Sequence, residues 1–368
     1  MRNSSTGSKG NEGHNKAAGS RPRALTEEAS GKCDGMLLSN MPKGALSSLS
    51  WCIFLLASIS AAGCHHAAGR ANLVKVTLQA DWYPQPEHGG FYTALVKDYY
   101  KDAGLDLNIQ PGGPYVTPEQ QVSVGTAQFG MSSSDKILES VADGQPLVAV
   151  AATMQHDPQG IMVRKDSPIH SFADLNGHTV AIKTGSTWFQ YIEKRYNLTN
   201  VHEIPAMMNV ANFVADPQYI QQAFATSEPF FAKQAGIETR VLLTSEAGYS
   251  PYRVMFTTRG FLEQHPEVVR KFVDASIRGW RDYLDDPTAA HAAIVKLNPA
   301  LNPEWMNFTW RALRDGHFVE GADPSGAELG EMRADRWDTM YKQLLDLKVI
   351  DKEFDPTMAY TLEFSQQK

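Results

Sequence analysis

The sequence predicts an α/β protein of two lobes, with parallel-rich sheets and helices on both faces. Strand and helix patterns alternate from Leu73 on, as in the βα units that build a parallel sheet. A second series of such units begins near Ile161, and two series within about 300 residues indicate two lobes. Beyond Gly260 the patterns are almost entirely helical, so the chain is expected to end in a set of helices.

The first series begins with Leu73–Leu78, where apolar and polar residues alternate with the period of a half-buried strand. Leu147–Ala152 is apolar on both faces, as in a buried parallel strand. Between these two strands the patterns predict further strands over Leu105–Ile109 and Phe129–Met131, and helices over Gly90–Tyr100, Glu119–Val124 and Asp135–Ala142.

The second series holds short apolar runs that are typical of strands, followed by long amphipathic stretches that are typical of helices. The predicted strands are Ile161–Val163, Thr179–Ile182, Val241–Leu243 and Val254–Thr258, and the predicted helices are Ser186–Tyr196, Pro266–Leu284 and Trp337–Leu347. We expect residues 73–157 to form the first part of lobe 1, residues 158–250 to form lobe 2, and residues 251–368 to return to lobe 1.

Composition excludes several functional classes. Hydrophobic residues make up 42% of the 368 residues, which is enough for a sizeable core. The formal net charge of −7 excludes a protein that holds nucleic acid by bulk positive charge. The three cysteines all lie at or before Cys64, so the rest of the chain has no disulfide, thiol nucleophile or cysteine metal site.

The N-terminal region is typical of a secretory signal. Residues 1–40 are polar and are expected to be a disordered leader or an over-extended start. In residues 41–64 a basic residue precedes a short apolar run and small residues, which indicates a signal peptide; a buried helix is the alternative. Ala61–Cys64 resembles a bacterial lipobox, although Ala61 stands where leucine is usual, so Cys64 is a candidate lipidation site. Plain cleavage nearby is the alternative, and residues 65–72 form a linker.

A series of segments carries a family resemblance. It begins with the run Asp81–Tyr92 and continues in order with Tyr99–Leu107, Gly125–Met131, Ser171–Val180, 208–211, Glu228–Ala232, His265–Phe272, Tyr341–Leu347 and Asp355–Phe364. Together these segments resemble the NMT1/THI5-like family of ABC-importer substrate-binding proteins, which includes a related thiamine-pyrimidine synthase. Gln128, Gln222 and Leu362 depart from the family's pattern, in which the first two are commonly Asp and the third is Asn.

The resemblance implies a type II periplasmic-binding-protein fold that closes over a small ligand. It implies an ABC permease and ATPase as partners. The signal peptide and the lipobox-like site predict a periplasmic or cell-surface location with a lipid anchor, and no cofactor is expected. A monomer is expected because the lobes must move freely. A nitrogen heterocycle such as a thiamine-precursor aminopyrimidine is the favoured ligand; sulfonate, nitrate, taurine and riboflavin are alternatives. No arginine falls in the candidate loops, which argues against an anionic ligand.

Candidate ligand contacts follow the strands, because ligands of open α/β sheets bind at the carboxyl ends of strands. Trp82 can stack on a flat ring, and Asp81 can accept a hydrogen bond from an amine; a core and a capping role are the alternatives. The resemblance adds His88 and Glu228, each with a structural alternative. The remaining candidates lie between strands and helices or at the return segment: Ser132, Ser133, Thr184, Gly185, Ser186, Thr187, Trp188 and Tyr252.

Enzymatic activity is not expected. The synthase relatives hold pyridoxal phosphate with a lysine where this chain has Ser132, and they use a cysteine-rich run that is missing here. No histidine spacing indicates a metal site, and no Gly-x-Ser-x-Gly motif supports a hydrolase. The sequence therefore predicts a binding protein, with a receptor or sensor component as a third class.

Overall fold

The computed structural model describes residues 73–207, 209–322 and 328–364, which lie in one compact unit. The predicted signal peptide, the linker and Cys64 lie outside the described residues. Ten strands build two five-stranded sheets. The strands are β1 (Val74–Gln79), β2 (Leu105–Gln110), β3 (Phe129–Ser133), β4 (Leu147–Met154), β5 (Gln159–Arg164), β6 (Thr179–Ile182), β7 (His202–Pro205), β8 (Ile220–Phe224), β9 (Thr239–Leu243) and β10 (Arg253–Thr258).

The first sheet has the order β2-β1-β3-β10-β4, and the second has the order β7-β6-β8-β5-β9. In the first sheet β1 pairs in parallel with β2 and β3, whereas β10 runs antiparallel to both of its neighbours. The second sheet also has two parallel and two antiparallel pairs. Both sheets are therefore mixed rather than parallel-rich. The antiparallel strand is β10 in the first sheet, which it enters after the chain has returned from the second, and β5 in the second sheet.

Two segments cross between the sheets. The first crossing segment, residues 155–158, joins β4 to β5, and the second, residues 244–252, joins β9 to β10. The two lobes are thus connected twice, and only short stretches of backbone would need to rotate for the lobes to move relative to each other.

Helices pack around the sheets and close the first lobe after β10. They are α1 (Gly89–Val96), α2 (Tyr99–Asp102), α3 (Pro118–Ser123), α4 (Ser134–Ala142), α5 (Thr187–Tyr196), α6 (Ala211–Ala215), α7 (Glu228–Gln234), α8 (Arg259–Gln264), α9 (Pro266–Asp285), α10 (Thr288–Leu297), α11 (Pro303–Asp315) and α12 (Ala334–Asp346). None of the helices in the described ranges is both long and apolar enough to cross a membrane.

One predicted helix is two. The sequence predicts a continuous helix over Gly90–Tyr100, but α1 ends at Val96 and α2 begins at Tyr99. Asp98 lies between them with φ of 59°, in the left-handed region that aspartate tolerates better than most residues. This local conformation interrupts the helix. The spacing of the apolar residues does not predict such an interruption.

Helix α1 packs on α9 at a distance that only glycine allows. A Cβ atom at Gly279 would lie 2.3 Å from the carbonyl oxygen of Gly90, and a Cβ atom at Gly90 would overlap the ring of Trp280. The crossing buries Phe91, whose ring packs edge-on against Trp280 with centroids 6.0 Å apart. Because His88 immediately precedes α1, this contact also restrains the end of the loop that carries Asp81 and His88.

The Gly279→Ala variant should be less stable than the wild type by about 1–3 kcal/mol, because the added methyl group overlaps backbone that cannot give way locally. The matched control is Gly260→Ala in α8, where an added Cβ atom meets nothing within 4 Å. That variant should be neutral or gain up to about 1 kcal/mol from helix propensity. Urea unfolding of the two variants checks the prediction, and equal stability of both would contradict it.

Candidate functional site

Asp81 lies just beyond the carboxyl end of β1 and holds two cationic or polar partners. The His88 Nε2 atom lies 2.9 Å from Asp81 Oδ1, and the Arg253 guanidinium forms an ion pair with Asp81 Oδ2. Burial would raise the pKa of Asp81, but the charge of Arg253 and the contact with His88 bring it down to about 2. The carboxylate is therefore charged over the whole physiological pH range.

Arg253 is the first residue of β10 and lies at the junction of the two lobes. It stands opposite Ser133 of β3 and Met154 of β4 in the sheet register. Its Nη1 atom lies 3.6 Å from Asp157 Oδ2, on the first crossing segment. No arginine falls in the candidate loops, but the return of β10 into the first sheet brings Arg253 to Asp81.

Carboxyl groups surround this arginine. Burial lowers the pKa of Arg253, but Asp81, Asp157, Asp135 and Glu119 together raise it above its ordinary value. Burial lowers the pKa of Lys136, but Asp135 and Glu119 are among the carboxyls that raise it, so these four acidic side chains outnumber the two cations beside them. An added anion would meet an arginine whose charge is already balanced by carboxylates.

The serines at the end of β3 and the start of α4 are buried, and two of them already form hydrogen bonds. Ser132 Oγ donates a hydrogen bond to Glu119 Oε1. Ser133 lies at the N-terminus of α4, its side chain makes no capping bond, and only 8% of its surface is exposed. Ser134 Oγ instead accepts a hydrogen bond from the Tyr252 amide at 3.0 Å. Among the described residues, Ser133 is therefore the one of the two predicted serines whose hydroxyl makes no hydrogen bond.

The loop between β6 and α5 lies partly at the surface. Thr184 and Gly185 are exposed, and Gly185 has φ of 75°, which favours glycine. Ser186 Oγ donates to the Lys183 carbonyl at 2.6 Å and so closes the turn. Thr187 Oγ1 donates to Glu139 Oε1 of α4 at 3.1 Å, which is a direct hydrogen bond between the two lobes.

The side chains of Trp188 and Tyr252 are buried and pack against other residues of the protein. Trp188 is 6% exposed and packs edge-on against Phe189 in a buried hydrophobic cluster. The Tyr252 ring lies under the Arg336 guanidinium, 3.7 Å from its carbon, and the Tyr252 hydroxyl accepts a bond from the Arg333 amide. Because contacts within the protein hold both side chains, neither belongs to the proposed site.

Glu228 and Glu87 approach the interlobe region from opposite sides. Glu228 begins α7 in the second lobe, and its Oε2 atom accepts a hydrogen bond from the Phe224 amide at 2.8 Å. Glu87 lies in the single helical turn Pro86–His88 of the first lobe. Burial raises the pKa of both carboxyls; the Thr226 side chain and His88 oppose the rise at Glu87, whereas the nearby Glu228 carboxyl adds to it.

Two buried polar atoms in this turn lack a hydrogen-bond partner among the described residues: Glu87 Oε2 and His88 Nδ1. His88 is 2% exposed, and its other ring nitrogen already contacts Asp81. Unsatisfied buried polar atoms are rare in stable structures and call for an explanation. A ligand with hydrogen-bonding groups is one explanation that suits their position.

Trp82 and Tyr83 form an aromatic edge beside Asp81. Their rings pack edge-on with centroids 5.6 Å apart, and Tyr83 is 50% exposed. The loop after β2 lies directly beneath them, since the Gly112 amide donates to the Trp82 carbonyl at 2.8 Å. A Cβ atom at Gly112 would lie 2.3 Å from the Ala80 carbonyl oxygen, so glycine is required for this close approach.

The structure thus brings Asp81, Trp82, His88, Ser132 and Ser133 together at one edge of the first sheet. Sequence reasoning missed the charged residues around them, which are Arg253, Asp157, Glu119, Asp135 and Glu87. Glu87 could have been found, since it precedes His88 in the same turn. Arg253 directly follows Tyr252, but only the strand order of the first sheet places it beside Asp81. No cluster of three or more possible metal ligands occurs among the described residues.

Two α/β lobes that are joined by two crossing segments form the architecture of the periplasmic-binding-protein fold. Solved structures share this fold. The periplasmic aliphatic sulphonate binding protein SsuA from Escherichia coli superposes with a TM-score of 0.58 at 15% identity, over 78% of this chain and 97% of that chain. The predicted periplasmic-binding-protein fold is therefore confirmed.

The chain belongs to the NMT1/THI5-like family, whose model matches residues 85–290. It is 23% identical to the riboflavin-binding protein RibY of Chloroflexus aurantiacus, over 79% of this chain and 86% of that protein. It is 25% identical to the 4-amino-5-hydroxymethyl-2-methylpyrimidine phosphate synthase of Legionella pneumophila, over 79% and 92%. It is also 22% identical to the formylaminopyrimidine-binding protein of Halalkalibacterium halodurans, over 64% and 75%.

The Asp81→Asn variant tests the ion pair through pH. A carboxyl whose pKa is lowered on folding adds stability above its unfolded pKa, near 4, and loses it as the pH falls toward the folded value of about 2. At pH 5 the wild type should therefore have a larger free energy of unfolding than the variant. This difference should become smaller by about 1 kcal/mol when the pH is lowered to about 3. Urea unfolding at each pH measures the gap.

Asp106→Asn, at an exposed position of β2, serves as the control and should show no such narrowing. A gap between the wild type and Asp81→Asn that stays constant from pH 5 to pH 3 would contradict the assigned ion pair.

Proposed function

We propose that this chain is the extracytoplasmic substrate-binding component of an ABC importer, and that it captures a small nitrogen heterocycle between its lobes. A thiamine-precursor aminopyrimidine is the favoured ligand. The protein would hand the ligand to a permease that is driven by an ATPase. We further propose that it acts as a monomer and is tethered to the membrane through Cys64.

The excess of buried acceptors around one balanced arginine carries the ligand proposal. Asp81, Asp157, Glu119 and Asp135 all lie around Arg253, and Glu87 and Glu228 add carboxyls from the two lobes. Such a site favours a ligand that offers N–H donors and carries no negative charge. An exocyclic amine beside a ring nitrogen meets this requirement, whereas a sulfonate or nitrate brings only acceptors.

The aromatic edge supports a flat ligand. Trp82 is partly exposed at the end of β1, next to the Asp81 carboxylate. An indole can stack on a heterocycle while the neighbouring carboxylate accepts a hydrogen bond from it, so one loop can supply both stacking and orientation.

Riboflavin is the second candidate. It is also a flat nitrogen heterocycle, and the relative of Chloroflexus aurantiacus, which this chain matches over 79% of its length, is a riboflavin-binding protein. Its ring system is larger than an aminopyrimidine, so the two ligands would differ in how far apart they hold the lobes.

We propose a binding protein rather than a pyrimidine synthase. The position after Gly130-Met131 is Ser132, whose hydroxyl is bonded to Glu119, and it offers no amine for a Schiff base. Lys136 lies one turn further on and pairs with Glu139 at 2.6 Å. Its amine is thus held at α4 by a carboxylate of the same helix.

A thermal-shift panel tests the ligand class, with an aminopyrimidine, riboflavin, an alkanesulfonate and nitrate each added to the purified protein. A ligand at 100 times its Kd stabilises the folded state by about 2.7 kcal/mol. That should raise Tm by several degrees, at roughly 2–4 °C per kcal/mol. We expect the aminopyrimidine to give the largest shift. A shift with sulfonate or nitrate alone would contradict the proposed ligand class.

Carboxamide variants then test the acceptors. Glu228→Gln and Glu87→Gln should each weaken binding of the aminopyrimidine by about 10–100-fold, which is the value of a hydrogen bond to a charged group. Glu263→Gln, at an exposed position of α8, should bind as the wild type does. Calorimetric titration measures the three affinities, and unchanged binding by both site variants would remove these carboxyls from the site.

A further inference from the structure

Arg336 on α12 holds both crossing segments at once. Its Nη2 atom donates to the Gln155 carbonyl at 2.6 Å in the first segment and to the Ser250 carbonyl at 3.1 Å in the second. Its Nη1 atom donates to the Gln155 side-chain oxygen at 3.2 Å. The guanidinium carbon also lies over the Tyr252 ring, 3.7 Å from its centroid.

The same point of the first crossing segment is fixed from other directions. The Gln155 side-chain amide donates to the carbonyls of Glu328 and Glu331 at 2.6 and 2.8 Å. The Gln155 amide donates to the Phe318 carbonyl at 2.7 Å. These three acceptors belong to the C-terminal part of the chain that covers the first lobe, so Gln155 stays with that lobe.

The two crossing segments are also tied to each other. The His156 Nδ1 atom lies 3.2 Å from Ser250 Oγ, so the two segments touch at the level where Arg336 bonds to both. Residues beyond this level, from Gln159 on one strand and up to Leu243 on the other, belong to the second sheet.

Further contacts hold the crossing segments to the first lobe just beyond this level. Asp157 pairs with Arg253, and the Gln343 side chain of α12 donates to the Gly248 carbonyl at 2.9 Å. Arg336 is the residue in this set that bonds to both segments at once.

We infer that Arg336 is the positioning residue of the hinge: it fixes the level at which the second lobe pivots and thereby sets how far the lobes open without ligand. This inference rests on the proposed function, in which the lobes close over a ligand. Arginine suits the role because its planar fork can donate to several oxygens while its face stacks on a ring. A lysine ammonium keeps the charge but lacks both the fork and the face.

Loss of this fork has a specific consequence. The Gln155 and Ser250 carbonyls would lose their shared donor, and the two crossing segments could move independently. The lobes would then sample a wider range of separations. In the proposed function the ligand is bound tightly only when the lobes are close together. A wider range of lobe separations without ligand therefore reduces the fraction of molecules that can bind.

The experiment measures the separation of the lobes directly, with no ligand added. In the full chain, Cys33, Cys52 and Cys64 are replaced by serine, which leaves no native cysteine. Spin labels are attached at Lys271→Cys on α9 and Arg195→Cys on α5, two exposed positions on helices of the two lobes. Pulsed electron–electron double resonance then gives the distribution of distances between the labels.

We expect both Arg336→Gln and Arg336→Lys to widen this distribution about twofold relative to the labelled parent. The matched control is Arg333→Gln. Arg333 immediately precedes α12. Its exposed side chain pairs with Asp335, and its bond to Tyr252 comes from the backbone amide. The control should keep the width of the parent.

Each result decides the proposal. A folded Arg336→Lys protein with the parent's width would overturn it, since an ammonium cannot bridge the two carbonyls and cover the ring. If Arg336→Gln fails to fold, as judged by its urea unfolding curve, Arg336→Lys alone decides. Because no ligand is used, a failed ligand panel leaves this measurement interpretable, and an unchanged width leaves the ligand proposal untouched.

Discussion

The ion pair between Asp81 and Arg253 is the interaction on which the site depends. A buried charge that loses its partner costs several kcal/mol, so each residue requires the other to be in place. Asp81 lies just beyond the end of β1, whereas Arg253 begins the strand that returns from the second lobe. Their contact therefore fixes where the return strand enters the first sheet, and with it where the two lobes meet.

The neighbours of this pair follow from the same geometry. Asp157 reaches Arg253 from the first crossing segment, and His88 reaches Asp81 from the turn before α1. The charged centre thus touches the end of a strand, the start of a helix and the junction of the lobes. Binding that changes the position of any one of these parts would be felt at the others, which is what a protein that closes on its ligand requires.

A different set of contacts governs motion. Arg336 and Gln155 use carbonyl oxygens and amides rather than carboxylates, and they lie on the C-terminal side of the first lobe. The Thr187–Glu139 hydrogen bond joins the lobes on another side. The chemistry that would select the ligand and the contacts that would limit the opening are therefore carried by different residues, and each can be altered without removing the other.

The sequence by itself determined the strand and helix alternation, the two-lobed α/β class and the loops that carry Asp81, His88 and the serines. These features depend on local periodicity and on residue type. Tertiary structure alone decided the break at Asp98, the mixed sheets and the partners of Asp81. Arg253 lies 172 positions from Asp81 along the chain. No local pattern reports such a distant contact, because it exists only once the chain has crossed to the second lobe and returned.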